Sequence, residues 1–117
     1  MTRKELTSKL KSLCKEQGFF KCRIAKAEKL ITEEALYKQW LNENRNADMQ
    51  WMESNFEKRM NPELLLEGAK SIIVLALQYD TPFEHPRNND TAKVSRYAWG
   101  EWDYHTIIKK KLKMLRN

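Results

Sequence analysis

The sequence predicts an α+β fold, in which helices cover a small sheet as an α/β-type sandwich. Two patterns support this prediction. Apolar residues recur at helical spacing near the start of the chain, and residues 71–77 form an unbroken apolar, β-branched run. The predicted elements follow the order α-β-α-α-β-α, which indicates a mixed α/β or α+β sheet too small to be complete.

The first predicted element is a helix that begins at a capping box formed by Thr2 and Glu5. It ends at Gly18, the residue type that most readily closes a helix. Its apolar stripe consists of Leu6, Leu10, Leu13 and Cys14. Because these positions share one face of a helix, we expect that face to be buried.

A strand is predicted directly after this helix. Phe20, Cys22 and Ile24 alternate with Lys21 and Arg23, as in a half-buried strand. We expect both cysteines of the chain, Cys14 and Cys22, to be core residues. Two thiols are too few for an iron–sulfur cluster, which needs four.

A second helix is predicted from near Thr32, with Leu36, Trp40 and Leu41 buried. Glutamates in its first turn suit the helix dipole. We expect this helix to fray over residues 42–46.

A short helix is predicted from Asn61, which serves as the N-cap before Pro62, to Gly68. Its apolar residues are Leu64, Leu65 and Leu66. The run at residues 71–77 that follows is typical of a central strand covered on both faces. We therefore expect residues 71–77 to form the core of the sheet.

Residues 81–91 are polar and rich in turn-forming types, and predict an exposed loop. The last helix is predicted from near Glu101. Its apolar face consists of Tyr104, Ile108, Leu112 and Leu115. Since Asn117 follows without a terminating signal, the helix and the domain are expected to be incomplete there.

The formal net charge of +6 and the pI near 9.4 favour an acidic partner such as nucleic acid, with a merely solvated cationic surface as the alternative. The lysine-rich last helix is open to the same two interpretations.

No apolar stretch approaches the length that spans a bilayer, so we expect a cytoplasmic chain without a membrane partner.

Four phrases in register resemble the epoxyqueuosine reductase family, and the resemblance runs from about Leu6 to Leu115. The phrases are DMQWM at 48–52, KRMNPELLL at 58–66, GAKSII at 68–73, and SRYAWG at 95–100 followed by DYH at 103–105. The resemblance implies an iron–sulfur oxidoreductase that reduces epoxyqueuosine to queuosine in tRNA, with cobalamin as a cofactor.

The same resemblance implies a domain organisation. Residues 1–117 correspond to the amino-terminal part of a nitroreductase-like, cobalamin-binding domain. A ferredoxin-like domain with two [4Fe–4S] clusters, and the aspartate that serves as proton donor, are expected beyond residue 117. We therefore expect no catalytic residue and no metal ligand here, an inactive fragment that can self-associate, and a separate electron donor for the clusters.

The resemblance also implies cofactor-binding residues. Arg59 and Ser95 match family positions that contact cobalamin, and Arg96 and Tyr97 adjoin Ser95 in the same phrase. A guanidinium suits the task, because its fixed donors can bind amide oxygens or a phosphate at the corrin edge. The alternatives are a surface arginine at position 59, and a short edge strand with Tyr97 and Trp99 in the core.

The two histidines carry weaker signals. Asp103 and His105 open the D-x-H-x-x-G pattern of other cobalamin enzymes, but Ile108 replaces its glycine. We interpret His105 as a helix-start residue and His85 as a solvated loop residue.

Two competing functions stay open, namely a basic RNA-binding module without catalysis and a flavin-dependent nitroreductase relative.

Overall fold

A computed structural model describes residues 1–116. The helices and strands are α1 (Arg3–Glu16), β1 (Lys21–Lys26), α2 (Ile31–Asn42), α3 (Phe56–Met60), β2 (Ser71–Ala76) and α4 (Tyr104–Arg116). Single 3-10 turns cover Gln50–Met52, Pro62–Leu64 and Arg96–Ala98. The predicted mixture of helix and strand is confirmed. None of the helices within residues 1–116 is long and apolar enough to cross a membrane.

The chain divides into two compact units. The first comprises residues 1–23 and 75–116, and the second comprises residues 24–74. Both strands contribute residues to each unit. In the first unit the N–H of Phe20 donates to the carbonyl of Ala76 at 2.8 Å, and in the second the N–H of Ala27 donates to the carbonyl of Lys70 at 3.1 Å. Because the paired numbers run in opposite directions, β1 and β2 are antiparallel.

The prediction of a central strand covered on both faces at residues 71–77 is wrong in the described part of the chain. There β2 pairs with β1 alone, and Ile73 and Val74 are 46% and 54% exposed. An apolar run shows that a strand has a surface to bury, but it does not show which segment covers that surface.

The first unit begins as predicted. The N–H of Glu5 donates to the Thr2 hydroxyl at 3.2 Å and the N–H of Thr2 donates to the Glu5 carboxylate at 2.6 Å, which completes the capping box of α1. The hydrogen bonds to Thr2 lower the pKa of the Glu5 carboxyl. Gly18 has a φ of +86°, in the left-handed region where a side chain is strained.

The core of the first unit contains Cys14, which is fully buried, and Phe19, which is 5% exposed. Burial raises the pKa of the Cys14 thiol, and the neighbouring Cys22 thiol raises it further. Cys22 is half-buried, so the core prediction is confirmed for Cys14 and only partly for Cys22. The predictions for Leu6 and Phe20 are wrong, since these side chains are 59% and 62% exposed.

In the second unit, Trp40 and Leu41 of α2 are half-buried, so their predicted burial is confirmed in part, but the prediction for Leu36 is wrong. Leu36 is 63% exposed, whereas the Tyr37 ring stacks on Trp40 and on Phe56, each at 5.7 Å between ring centroids. The Tyr37 hydroxyl also donates to the Met52 carbonyl at 2.5 Å. The sequence pattern predicted Trp40 and Leu41 on this face but not Tyr37, because a tyrosine is apolar along its ring and polar at its tip.

Residues 42–46, predicted to fray, end in one of the most buried side chains described. Asn46 is 2% exposed, and its Nδ2 donates to the Met49 carbonyl at 3.3 Å and to the Glu53 carboxylate at 3.2 Å. These bonds organise the turn between α2 and α3. The predicted end of α2 in this region is confirmed, since its last residue is Asn42, but the residues that follow form an ordered turn.

The predicted cap at Asn61 is confirmed, since its side-chain oxygen accepts a hydrogen bond from the N–H of Glu63 at 3.2 Å. The element that follows is only the 3-10 turn Pro62–Leu64, and Gly68 has a φ of +73°. The three leucines of this segment are exposed. A short turn leaves them little helix surface with which to pack.

Residues 81–91 contain no helix or strand, as predicted. The last helix, α4, begins at Tyr104 rather than near Glu101, because the carbonyl of Asp103 accepts the N–H of Thr106 at 3.0 Å and starts its hydrogen bonds. On its predicted apolar face, Ile108 is half-buried but Tyr104 is 41% exposed.

Candidate functional site

The candidate site in the first unit is built on the turn that follows the loop 81–91. Ser95 has extended backbone and precedes the 3-10 turn, and its carbonyl accepts the N–H of Ala98 at 3.0 Å. The Ser95 side chain makes no capping hydrogen bond and is exposed, so its hydroxyl is free to meet a ligand.

Arg96 is oriented by contacts with Asp80, Thr81 and Trp99. Its Nη1 donates to the Asp80 carboxylate and to the Thr81 carbonyl, each at 3.1 Å. The guanidinium lies 5.3 Å from the centroid of the Trp99 ring, a cation–π distance. One carboxylate, one carbonyl and one aromatic face therefore define the orientation of the arginine.

Trp99 links this arginine to the loop. Its Nε1 donates to the Val94 carbonyl at 2.9 Å, and the His85 ring packs edge-on against it at 4.7 Å. His85 lies in the loop as predicted but is half-buried, so its interpretation as a solvated residue is confirmed only in part. The prediction for His85 rested on the polarity of the neighbouring loop residues. It could not include the contact with Trp99, which lies 14 residues later in the chain.

Tyr97 belongs to a separate aromatic cluster beside this turn. Its ring meets Tyr79 at 6.4 Å and Tyr104 at 5.8 Å, both nearly perpendicular. Tyr97 is 54% exposed, which places it at a surface rather than in the core.

Two grooves lie at these side chains. The first, of about 520 Å³, is lined by Tyr79, Thr81, Phe83, Arg96, Trp99 and Gly100. The second, of about 240 Å³, is lined by Leu77, Tyr79, Tyr97, Tyr104 and Ile108. Aromatic faces with one oriented guanidinium can bind a flat ligand that carries oxygen acceptors on its edge.

Arg59 lies in the second unit. Its Nε donates to the Ser54 carbonyl at 3.2 Å and its Nη2 donates to the Trp51 carbonyl at 3.1 Å, with the guanidinium 5.8 Å from the Trp51 ring centroid. A groove of about 340 Å³ is lined by Asn55, Lys58, Arg59 and Leu65. The structure thus gives Arg59 a local structural task, whereas it brings Ser95, Arg96 and Tyr97 together in the first unit.

His105 is the second residue of α4, in agreement with its interpretation as a helix-start residue. Its Nδ1 lies 3.1 Å from the Asp103 carboxylate, and hydrogen bonds from His105 lower the pKa of Asp103. Among residues 1–116, no three His, Cys, Asp or Glu side chains come together as a set of metal ligands.

Sequence reasoning missed three residues of the Arg96 site, namely Tyr79, Asp80 and Thr81. Asp80 and Arg96 are opposite charges 16 residues apart, and no periodicity links them. The sequence did contain one indication of this contact, since Asp80 and Arg96 lie on either side of the turn-rich segment 81–91. Such a segment brings its ends together when it folds back as a compact loop.

The fold and the site define a mixed helix-and-strand chain with a groove lined by one arginine and several aromatic residues. The family model described as "Epoxyqueuosine reductase QueG, DUF1730" matches residues 59–117. The chain therefore belongs to the epoxyqueuosine reductase family, which confirms the resemblance found in the sequence. Enzymes of this name are oxidoreductases.

Individual relatives agree with this assignment. The chain is 46% identical to the epoxyqueuosine reductase of Cellulophaga algicola, over 85% of this chain and 31% of that protein. It is 39% identical to the enzyme of Leadbetterella byssophila, over 96% of this chain and 36% of that protein. The chain thus spans about a third of the length of the curated relatives it matches.

Solved structures show the same relationship. The structure of epoxyqueuosine reductase from Streptococcus thermophilus matches with a TM-score of 0.79 and 28% identity, over 96% of this chain and 30% of that one. A crystal structure of an epoxyqueuosine reductase with an epoxyqueuosine-modified stem loop of tyrosine tRNA matches with a TM-score of 0.71 and 28% identity, over 97% of this chain and 30% of that one.

Proposed function

We propose that residues 1–117 are the amino-terminal part of a nitroreductase-like, cobalamin-binding domain in an enzyme that reduces epoxyqueuosine to queuosine in tRNA. The main support is that the family match over residues 59–117 includes all four predicted contact residues. The ferredoxin-like domain with two [4Fe–4S] clusters and the catalytic aspartate belong, in this proposal, to the remainder of the enzyme.

The residues of the first unit fit the chemistry of cobalamin. A corrin ring presents broad apolar faces and an edge of amide groups. The exposed faces of Tyr79 and Tyr97 can pack against such a ring, and Arg96 and Ser95 can bond its amide oxygens and amide hydrogens. When bound, cobalamin supplies a reducible metal centre that carries electrons to the substrate.

The chain's own contribution is binding and orientation. Asp80 and Thr81 engage one nitrogen of Arg96, so the guanidinium enters the site with its direction already fixed and little entropy left to lose. Arg59 uses Nε and Nη2 in the bonds described for it, and Nη1 is the nitrogen we assign to the cofactor.

A cobalamin titration of the intact protein tests this proposal. We expect a change in the cobalamin absorbance spectrum, and we expect Arg96→Ala to weaken binding by about 1–3 kcal/mol, as for a lost charged hydrogen-bond partner. Arg87→Ala is the matched control, since Arg87 lies in the preceding loop, residues 81–91, with its side chain 93% exposed. Purification with bound yellow flavin and no affinity for cobalamin would instead favour a flavin-dependent nitroreductase.

A further inference from the structure

The positive charge of this chain is concentrated in the first unit. Residues 1–23 and 75–116 contain 15 Lys and Arg against seven Asp and Glu, a formal net charge of +8. Residues 24–74 contain seven Lys and Arg against nine Asp and Glu, a formal net charge of −2. The net positive charge of the chain therefore belongs to the first unit, whereas the second unit carries a small net negative charge.

Within the first unit, α4 has the strongest excess of positive charge. Its 13 residues include no Asp or Glu and five cations, of which Lys109, Lys110, Lys113 and Arg116 are exposed. At about 100° per residue, these four cations lie within one continuous arc of the helix. Lys109 and Lys113 are one turn apart on that arc.

The fifth cation has a different task. The Lys111 Nζ donates to the carbonyl of Gln17, just after α1, and lies 3.1 Å from the position that a Cβ on Gly18 would occupy. This bond fixes the α4 surface to the end of α1. A Cβ at position 18 would require the Lys111 Nζ to shift by a few tenths of an ångström.

A large apolar groove borders the cationic arc. It has a volume of about 640 Å³ and is lined by Gln17, Trp102, Thr106, Ile107, Lys110, Lys111 and Met114. Trp102 is 71% exposed and Met114 is 59% exposed, which is costly for side chains of this size. Lys110 belongs both to the arc and to the groove, so the two surfaces are continuous.

We propose that this surface binds RNA, with the α4 cations on backbone phosphates and an unpaired base stacked on Trp102 in the groove. Exposed lysines bind phosphates by displacing counterions, and an aromatic face accepts any base of a loop. A helix with five cations and no Asp or Glu is complementary to the anionic phosphate of a nucleotide. The apolar groove beside it is complementary to the flat aromatic base. The inference rests on the proposed function, which names the enzyme's substrate but not the residues that contact it.

The electrostatic part is tested with the intact protein and an unmodified RNA stem loop of tyrosine tRNA sequence, by fluorescence anisotropy at several salt concentrations. Removing two phosphate contacts with Lys109→Gln and Lys113→Gln should reduce the slope of log Kd against log salt by about 1.4–1.8. The matched control, Lys26→Gln with Lys70→Gln, removes two exposed lysines of the second unit and should leave the slope unchanged. Equal slopes for the two double variants would overturn the proposal.

The stacking part is tested at Trp102. Trp102→Ala should weaken RNA binding by about tenfold, and Trp102→Phe, which keeps an aromatic face, should restore most of the affinity. A 2-aminopurine placed in the RNA loop should be quenched by the parent protein and not by Trp102→Ala. If no loop position is quenched, or if Trp102→Ala binds like the parent, the groove does not hold a base.

A cobalamin titration of the same variants separates this inference from the proposed function. We expect all of them to bind cobalamin like the parent, because none alters Arg59, Ser95, Arg96 or Tyr97. Failure of the parent to bind cobalamin would reject the proposed function, whereas the salt slope and the quenching still decide the RNA surface.

Discussion

Replacing Arg59 by alanine should loosen the segment from Gln50 to Asn61. Arg59 donates to two backbone carbonyls of this segment and covers the Trp51 ring. The same segment contains Asn55, whose φ of 58° is unusual for a residue with a side chain. The arginine therefore holds in place a turn whose backbone conformation is itself unfavourable.

The magnitude follows from these contacts. Each hydrogen bond at an exposed site contributes about 0.5–1 kcal/mol net, because the carbonyls can bond water when the arginine is removed. The cation–π contact adds about 0.5 kcal/mol at an exposed position. The sum is about 2 kcal/mol, which corresponds to a roughly 30-fold rise in the local opening constant.

Hydrogen exchange of the intact protein, followed by mass spectrometry, measures this opening peptide by peptide. Peptides within residues 50–61 should exchange faster in Arg59→Ala, whereas peptides of α1 should not change. Arg45→Ala is the matched control, because Arg45 is an exposed arginine of the same unit that pairs with Glu43. Exchange that stays within twofold of the parent would refute the structural role.

A cobalamin titration of the same variant addresses the other role proposed for Arg59. Because Nη1 is assigned to the cofactor, we expect weaker binding by about 1–3 kcal/mol. Faster local exchange with unchanged cobalamin affinity would remove Arg59 from the cofactor site and leave it as a residue that stabilises the turn.

Three further predictions concern the polar side chains of Asn46 and His105. Asn46→Ala should destabilise the turn between α2 and α3 by about 1–3 kcal/mol, since the buried amide bonds the Met49 carbonyl and Glu53, and faster exchange limited to that turn would be the evidence. His105→Ala should raise the pKa of Asp103 towards its ordinary value, as followed by carboxyl NMR. Because the folded-state pKa is lowered, the stabilisation of the α4 start is present above the ordinary aspartate pKa and is lost as the pH falls through the lowered value. In the cobalamin complex of the intact protein, the same variant should leave the paramagnetic resonance spectrum of cob(II)alamin unchanged, and loss of a nitrogen splitting would show that His105 ligates cobalt.

Some features of the fold were determined by the sequence alone. The capping box at Thr2 and Glu5, the cap at Asn61 and the left-handed glycines at 18 and 68 all lie where the sequence placed them. Each of these signals acts through backbone groups within about four residues, so its partners are fixed by chain position. The four phrases that resemble the epoxyqueuosine reductase family are also local, since each is a short stretch of sequence that can be recognised without the tertiary structure.

Other features were decided only by the tertiary structure. The sequence pattern did not show that Phe19 rather than Phe20 is buried, that Asn46 is enclosed, or that Arg96 bonds Asp80 across a 16-residue separation. Burial depends on which distant segment arrives at a surface, and an ion pair depends on where two loop ends meet. Neither is encoded in the period of a single element, because period specifies which residues share a face and not what that face will contact.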